Sequence, residues 1–116
     1  MKNPTMWFEV AGKDHQALKG FYSQLFDWQL TDMDGAPYST LDDPGEGIRG
    51  GVGAAPEGHP GHVTFYVQID DLEATLAKAE ELGGKRGMGP MDIPNGQVAL
   101  FTDPEGHEIG LMTLND

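Results

Sequence analysis

Apolar and polar positions in the first half of the chain follow the periods of a strand, a helix and further strands. Residues 6–10 form a short apolar run of strand-forming types, and Asp14 then stands where a helix N-cap is expected. The following apolar side chains recur every three or four residues, as in a helix packed on a sheet: Ala17, Leu18, Phe21, Tyr22 and Leu25. We expect extended segments at 26–30, 38–41 and 48–54, and the last is rich in glycine.

The same order of elements begins again after a linker at 56–61. A strand over 62–67 precedes a helix that starts like a capping box at Asp70 and Glu73 and ends at two glycines. Its apolar stripe consists of Leu72, Leu76, Ala79 and Leu82. Extended segments follow at 88–93, 97–102 and 107–113. This repetition predicts the α+β fold class, with two βαβββ modules at about 4–55 and about 61–114 of one domain.

A single helix covers only one face of the sheet in each predicted module. Two such modules can hide their open faces by curling around a shared space, which predicts a curved mixed sheet around a cleft suited to a small molecule. Glycines in a strand mark places where something approaches the backbone closely, and the segment 48–54 has three of them.

Charge and composition narrow the classes of partner. The 116 residues carry 7 Lys and Arg against 19 Asp and Glu, a formal net charge of −12, which disfavours binding to nucleic acid or to anionic membranes. With no cysteine the chain has no disulfide or thiolate site. Neither a membrane-spanning apolar run nor a signal peptide is evident, so we expect a soluble, cytoplasmic protein.

Motifs across nearly the whole chain resemble a known superfamily. The first half reads WFEV from Trp7, then Asp14, then FYSQLFDW from Phe21. The second half reads HVTFYV from His62, then DDL, LGG, PMDIP and DPEG in order. These elements resemble the glyoxalase/bleomycin-resistance/dioxygenase proteins, the vicinal oxygen chelate superfamily, which contains isomerases, dioxygenases, epimerases and pure binding proteins. The resemblance implies the paired-module fold and a glyoxalase-like protein.

Metal-dependent members of that superfamily take one ligand from the first strand and one from a late strand of each module. By resemblance these positions fall on Trp7, on the segment 48–53, on His62 and on Gly110. An indole only donates, a guanidinium (Arg49 in that segment) does not bind metals, and glycine has no side chain. His62 is the only surviving aligned ligand, so we expect no metal cofactor.

A non-standard divalent metal site is an alternative. It would use His62 with Glu9 and Glu108, which share strand faces with the aligned positions two residues away. The resulting expectation is that metal binding, if present, departs from the family's ligand set.

Glu9 and His62 are the candidate catalytic residues, as general acid or base. Side-chain alternation places Trp7 beside Glu9, and Thr64 and Tyr66 beside His62, so we expect these five residues to bind the ligand. In the alternatives, Glu9 faces water or pairs with Arg49, and His62 is a polar residue at a strand start.

The remaining histidines and two aromatic residues have structural interpretations. We expect His15, His59 and His107 to face solvent, since they lie in a first helical turn, a linker and a turn. Tyr22 and Trp28 are expected in the core between helix and sheet.

Three functions are compatible with these residues. The first is metal-independent binding of a small molecule. The second is a lyase or isomerase of glyoxalase type that uses Glu9 or His62 or a non-standard metal site. The third is a dimeric interaction protein or one that sequesters an antibiotic, for which the acidic surface would attract cationic ligands. We expect a homodimer in solution.

Overall fold

A computed structural model describes residues 2–115 of the chain. The residues form two compact units. The first unit is residues 6–64, and the second unit combines residues 2–5 with residues 65–115. The boundaries of the units fall inside two strands, between residues 5 and 6 and between residues 64 and 65. Residues 62–64 therefore belong to the first unit, whereas the sequence pattern begins the second module at about 61.

One helix and a four-stranded arrangement build the first unit. Its elements are β1 (Thr5–Gly12), α1 (His15–Phe26), β2 (Leu30–Asp32), β3 (Tyr38–Leu41) and β4 (Arg49–Ala54). The strands lie in the order β2-β3-β4-β1. β1 and β4 run parallel, and the other neighbours are antiparallel.

The second unit repeats this plan with more strands. Its elements are β5 (His62–Gln68), α2 (Leu72–Glu81), β6 (Lys85–Arg86), β7 (Met91–Ile93), β8 (Gly96–Thr102) and β9 (Glu108–Leu114). The order is β5-β9-β8-β6, with β7 also paired to β8. β5 and β9 are parallel, which matches β1 and β4 of the first unit.

Apolar residues on the helix-facing sides of the strands form a separate core in each unit. In the first unit Phe8 and Val10 of β1 point to this side, as the alternation predicts, and Tyr22 and Trp28 also pack there. The buried centre consists of Leu30, Leu41 and Val52. In the second unit the buried cluster is Ile69, Leu72, Leu76, Ala99 and Leu111. Both cores leave the opposite faces of the strands to other side chains.

Two local expectations need correction. The second helix is capped by Asp71, whose carboxylate accepts from Ala74 N at 3.0 Å, and not by Asp70. The first helix continues through Phe26 and ends at Asp27 in the left-handed conformation (φ 57°), so the expected extension at 26–30 begins only at Leu30. In addition, β6 is a two-residue strand that no apolar pattern predicts.

Asp14 caps α1 as expected and accepts from Ala17 N at 3.0 Å. Across residues 2–115, neither helix combines the length and apolar character needed to cross a membrane.

Candidate functional site

Glu9 lies in the middle of β1 on the face opposite the apolar core. The parallel register pairs Glu9 with Gly51 of β4. Phe8 and Val10, its neighbours in sequence, point into the core, so alternation directs Glu9 and Trp7 to the other face. The Glu9 carboxylate therefore lies next to a residue of β4, Gly51, that has no side chain.

His62 is the first residue of β5, and Gly61 before it decides where the imidazole lies. Gly61 has a φ of +96°, and a Cβ there would overlap the carbonyl oxygen of Ala11 in β1. Only glycine permits both this conformation and this close approach. The chain therefore enters β5 against the backbone of β1, where His62 meets Glu9.

Glu9 and His62 form a close, largely buried pair. His62 Nε2 lies 2.5 Å from Glu9 Oε2, and the two side chains are 11% and 14% exposed. At this distance one proton lies between the two atoms. The structure thus brings the two candidate catalytic residues together, and it pairs Arg49 with Asp42.

Tyr38 extends this pair into a network. Trp7 Nε1 donates to the Tyr38 hydroxyl at 2.9 Å, and that hydroxyl donates to Glu9 Oε1 at 3.0 Å. The tyrosine was not among the residues expected from the sequence, which marked it only as part of a strand. The three glycines of the segment 48–54 were the available signal, because they indicated that something approaches this backbone closely.

His59 adds a second imidazole from the linker. Its ring lies 5.3 Å from that of His62 and nearly perpendicular to it, and Gly61 N donates to His59 Nδ1 at 2.9 Å. His59 Nδ1 is therefore an acceptor without a proton. The expectation that His59 faces solvent is wrong, since this backbone bond folds the linker back and leaves the residue only half-exposed. His107 is exposed as expected.

Thr64 and Tyr66 follow His62 on the same face of β5. They are 6% and 8% exposed, whereas the alternate residues Val63 and Phe65 are 77% and 40% exposed, which is the expected alternation. Tyr66 belongs to the second unit, where it pairs with Gly110, and a Cβ on that glycine would overlap the tyrosine ring. Their roles in ligand binding stay predictions.

Arg49 lies beside Trp7. Its guanidinium is 5.9 Å from the centre of the indole ring, and it forms an exposed ion pair with Asp42 at 3.2 Å. Such a contact adds a cation next to a flat apolar surface at the edge of the network.

Two of the residues at the ligand positions that the resemblance implies, Trp7 and Gly110, offer no atom to a metal ion, whereas His62 does. Trp7 uses its only polar hydrogen on Tyr38, and the Tyr66 ring lies over Gly110. His59 and His62 belong to a candidate metal-binding group, and their ligand nitrogens lie within 4.8 Å of each other. However, two atoms bound to one zinc ion at about 2.0–2.1 Å stand more than about 3 Å apart, so the 2.5 Å between Glu9 and His62 is that of a shared proton.

A second polar cluster joins α1 to β2 and β3 on the core side. Ser39, which is fully buried, donates to Asp32 Oδ1 at 2.6 Å and lies 2.7 Å from His15 Nε2. Lys19 Nζ donates to the same carboxylate oxygen at 2.9 Å. The hydrogen bond from Ser39, followed by that from Lys19, lowers the pKa of Asp32 to about 2.

This cluster contains serine, histidine and aspartate but not in a nucleophilic arrangement. Because the Ser39 hydroxyl gives its proton to Asp32, its oxygen accepts from His15 Nε2, the reverse of what nucleophile activation requires. The expectation that His15 faces solvent is wrong, because this bond draws its side chain under the helix to 9% exposure. The cluster fastens α1 to the sheet.

Comparison with known proteins identifies the family. Residues 7–112 match the family described as "Glyoxalase-like domain". The protein named "Putative glyoxylase CFP32" of Mycobacterium tuberculosis (strain CDC 1551 / Oshkosh) is 32% identical over 117 residues, covering 94% of this chain and 45% of the relative. The chain thus spans less than half the length of that relative.

Solved structures share the fold at low sequence identity. A glyoxalase/bleomycin resistance protein/dioxygenase superfamily member from Vibrio splendidus 12B01 is 13% identical, with a TM-score of 0.60 over 97% of this chain and 99% of that chain. A methylmalonyl-CoA epimerase from Mycobacterium tuberculosis is also 13% identical, with a TM-score of 0.63 over 97% and 88%. These likenesses confirm the α+β fold class expected from the sequence. Because the family model matches residues 7–112, the chain belongs to the glyoxalase-like domain family.

Proposed function

We propose that this protein binds a small molecule beside Glu9 and His62 and exchanges a proton with it, without a metal ion. The observation that carries the proposal is the 2.5 Å contact between Glu9 Oε2 and His62 Nε2. A carboxylate and an imidazole that share a proton in a mostly buried setting are typical of acid–base sites. Histidine is the side chain that most readily gives and takes a proton near neutral pH.

The proposal gives each member of the pair a distinct role. When Glu9 accepts the proton on Nε2, the lone pair of the His62 ring is on Nδ1, which is then the basic nitrogen. The carboxylate also stabilises the imidazolium that forms when Nδ1 takes a proton, as in other carboxylate–histidine pairs. His62 is thus the proton-transfer group and Glu9 orients it.

The relatives support proton transfer as the reaction class. One protein of similar sequence is named a glyoxylase and one of similar fold an epimerase, and a lyase or isomerase of glyoxalase type agrees with both. Trp7 and Arg49 at the edge of the network offer the ligand an indole face and a positive charge. The identity of the substrate is a separate question that the assay below addresses.

Turnover of the methylglyoxal hemithioacetal and of a small-molecule panel tests the proposal in wild type, Glu9→Gln and His62→Ala. We expect each substitution to lower kcat by about 10²- to 10⁴-fold, the range for loss of an acid–base group. Glu46→Gln, in an exposed loop, is the matched control and should leave kcat unchanged. A ligand that binds but is never turned over would support binding alone and contradict proton transfer.

Metal content tests the other half of the proposal. Protein purified without chelators should contain no stoichiometric Zn, Ni, Mn or Fe by inductively coupled plasma analysis. Stoichiometric metal that disappears in His62→Ala would overturn the metal-independent function in favour of a non-standard site.

A further inference from the structure

Tyr38 occupies a space that two glycines leave open. It belongs to β3, pairs with Gly53 of the neighbouring strand β4, and crosses that strand toward β1. A Cβ on either Gly51 or Gly53 would overlap the Tyr38 ring. Glycines in a strand destabilise it, so their presence here has a specific consequence, which is to admit this ring flat against the backbone.

The hydrogen bonds of Tyr38 have a fixed direction. An indole nitrogen can only donate, so the Tyr38 oxygen accepts from Trp7 at 2.9 Å. The hydroxyl then donates a hydrogen bond to Glu9 Oε1 at 3.0 Å. Since Oε1 accepts this bond, Oε2 is the oxygen that faces His62 Nε2.

We infer that Tyr38 is a positioning residue that sets the orientation of Glu9 and thereby the state of the proton shared with His62. This inference rests on the proposed function insofar as Glu9 and His62 form the acid–base pair. Trp7 fixes the tyrosine hydroxyl, the hydroxyl fixes one carboxylate oxygen, and the carboxylate fixes the imidazole. Tyr38 itself needs no contact with the ligand.

A purely structural role makes a different prediction. If Tyr38 only fills the space over Gly51 and Gly53, phenylalanine does so equally well, because it keeps the ring. If Tyr38 positions Glu9, the loss of the tyrosine hydroxyl also changes the hydrogen bond between Glu9 and His62, although Tyr38 acts on His62 only through Glu9. Tyr38→Phe separates the two roles.

The test is ¹⁵N and ¹H NMR of wild type and Tyr38→Phe, observing the His62 ring nitrogens and the Trp7 indole proton. We expect the indole proton to move upfield and to exchange at least about tenfold faster with solvent, since its acceptor is gone. We also expect the ¹⁵N resonances of the His62 ring to shift by several ppm. Tyr22→Phe, in the aromatic cluster of α1, is the matched control and should change neither signal.

His62 nitrogens that stay unchanged in a folded Tyr38→Phe protein would overturn the inference. If Tyr38→Phe does not fold, the exchange rate of the Tyr38 hydroxyl proton in wild type and in Trp7→Phe tests the inference instead. In wild type the Tyr38 hydroxyl proton should be observable and slowly exchanging, and Trp7→Phe should speed its exchange while Glu9 still holds it. A hydroxyl proton in fast exchange in wild type would contradict the positioning role.

Kinetics distinguish this inference from the proposed function. With any substrate found in the turnover panel, Tyr38→Phe should lower kcat by about 10- to 100-fold, as loss of an orienting partner does, with little change in KM. A rise in KM at constant kcat would contradict positioning. If no substrate is turned over, the proposed function fails, whereas the NMR result still decides the role of Tyr38.

Discussion

The two units use one strand position in opposite ways. Glu9 in the first unit and Tyr66 in the second lie 57 positions apart, and each is paired with a glycine of a parallel strand, Gly51 or Gly110. In the second unit the tyrosine itself covers the glycine. In the first unit Tyr38 arrives from another strand to cover it, which leaves the paired position to a carboxylate. The first unit thereby has room at this position for Glu9, the carboxylate of the proposed acid–base pair.

The helices of the two units also differ, in how much of each is buried. Both begin at an aspartate N-cap, Asp14 or Asp71, again 57 positions apart. α2 contributes the buried Leu72 and Leu76, whereas none of the twelve residues of α1, all in the described part of the chain, is fully buried. One scaffold thus carries a well-buried helix in one unit and a helix fastened partly by polar bonds in the other.

The largest expected effect is on the helix cores. Leu76 is 2% exposed, so Leu76→Ala should lower the free energy of unfolding by about 2–5 kcal/mol, through lost apolar contact and a residual cavity. Leu25 of α1 is 58% exposed, and Leu25→Ala should change it by less than about 0.5 kcal/mol. Urea denaturation measures both. Equal losses would show that the two helices are held alike.

An intermediate effect is expected at the glycines. Gly51→Ala and Gly110→Ala each place a methyl group into a tyrosine ring and should cost about 1–3 kcal/mol of unfolding free energy. Gly20→Ala, inside α1 with nothing nearer than 3.7 Å to the new Cβ, should instead stabilise by about 0.5–1 kcal/mol. Thermal unfolding compares the three. If Gly51→Ala and Gly110→Ala both leave the free energy of unfolding unchanged, the tyrosine rings do not require glycine at these two positions.

The smallest effect concerns the fastening of α1 at low pH. The pKa of Asp32 is about 2 against an ordinary 3.8, because Ser39 and Lys19 bond its charged form. Since the folded pKa is lowered, this stabilisation is fully present above about pH 4 and is lost as the pH falls through about 2. Tm measured from pH 6 to pH 2 should therefore fall more steeply between pH 4 and pH 2 in wild type than in Asp32→Asn.

Asp34→Asn controls for the loss of one surface charge, since Asp34 lies in an exposed turn. Its Tm profile should be parallel to that of wild type. An Asp32→Asn profile that also runs parallel to wild type would mean that the cluster does not hold α1 through the charged carboxylate.

Much of the fold could be predicted from local pattern. The apolar periods located both helices and most strands, and the placement of Phe8 and Val10 in the core, with Glu9 opposite, followed from alternation alone. The errors were local as well: Asp70 and Asp71 are both suitable caps, and only the backbone geometry selects Asp71. The short strand β6 depends on its partner β8, which sequence pattern does not reveal.

The candidate site was predictable only in part. Glu9 and His62 were expected on chemical grounds, and the structure brings them to 2.5 Å. Tyr38 was missed, because no local pattern tells which side chain will lie over a glycine of another strand. The expected homodimer and cytoplasmic location stay predictions.

The sequence by itself determined the repeated α+β plan, the aspartate cap of the first helix and the acid-rich composition. These follow from the type and spacing of neighbouring residues. The tertiary structure decided which polar groups share a proton: Gly61 brings His62 to β1, and Gly51 and Gly53 admit Tyr38 from β3. Hydrogen bonds between residues 29 and 53 positions apart depend on strand register and on a few tenths of an ångström, which only the folded backbone sets.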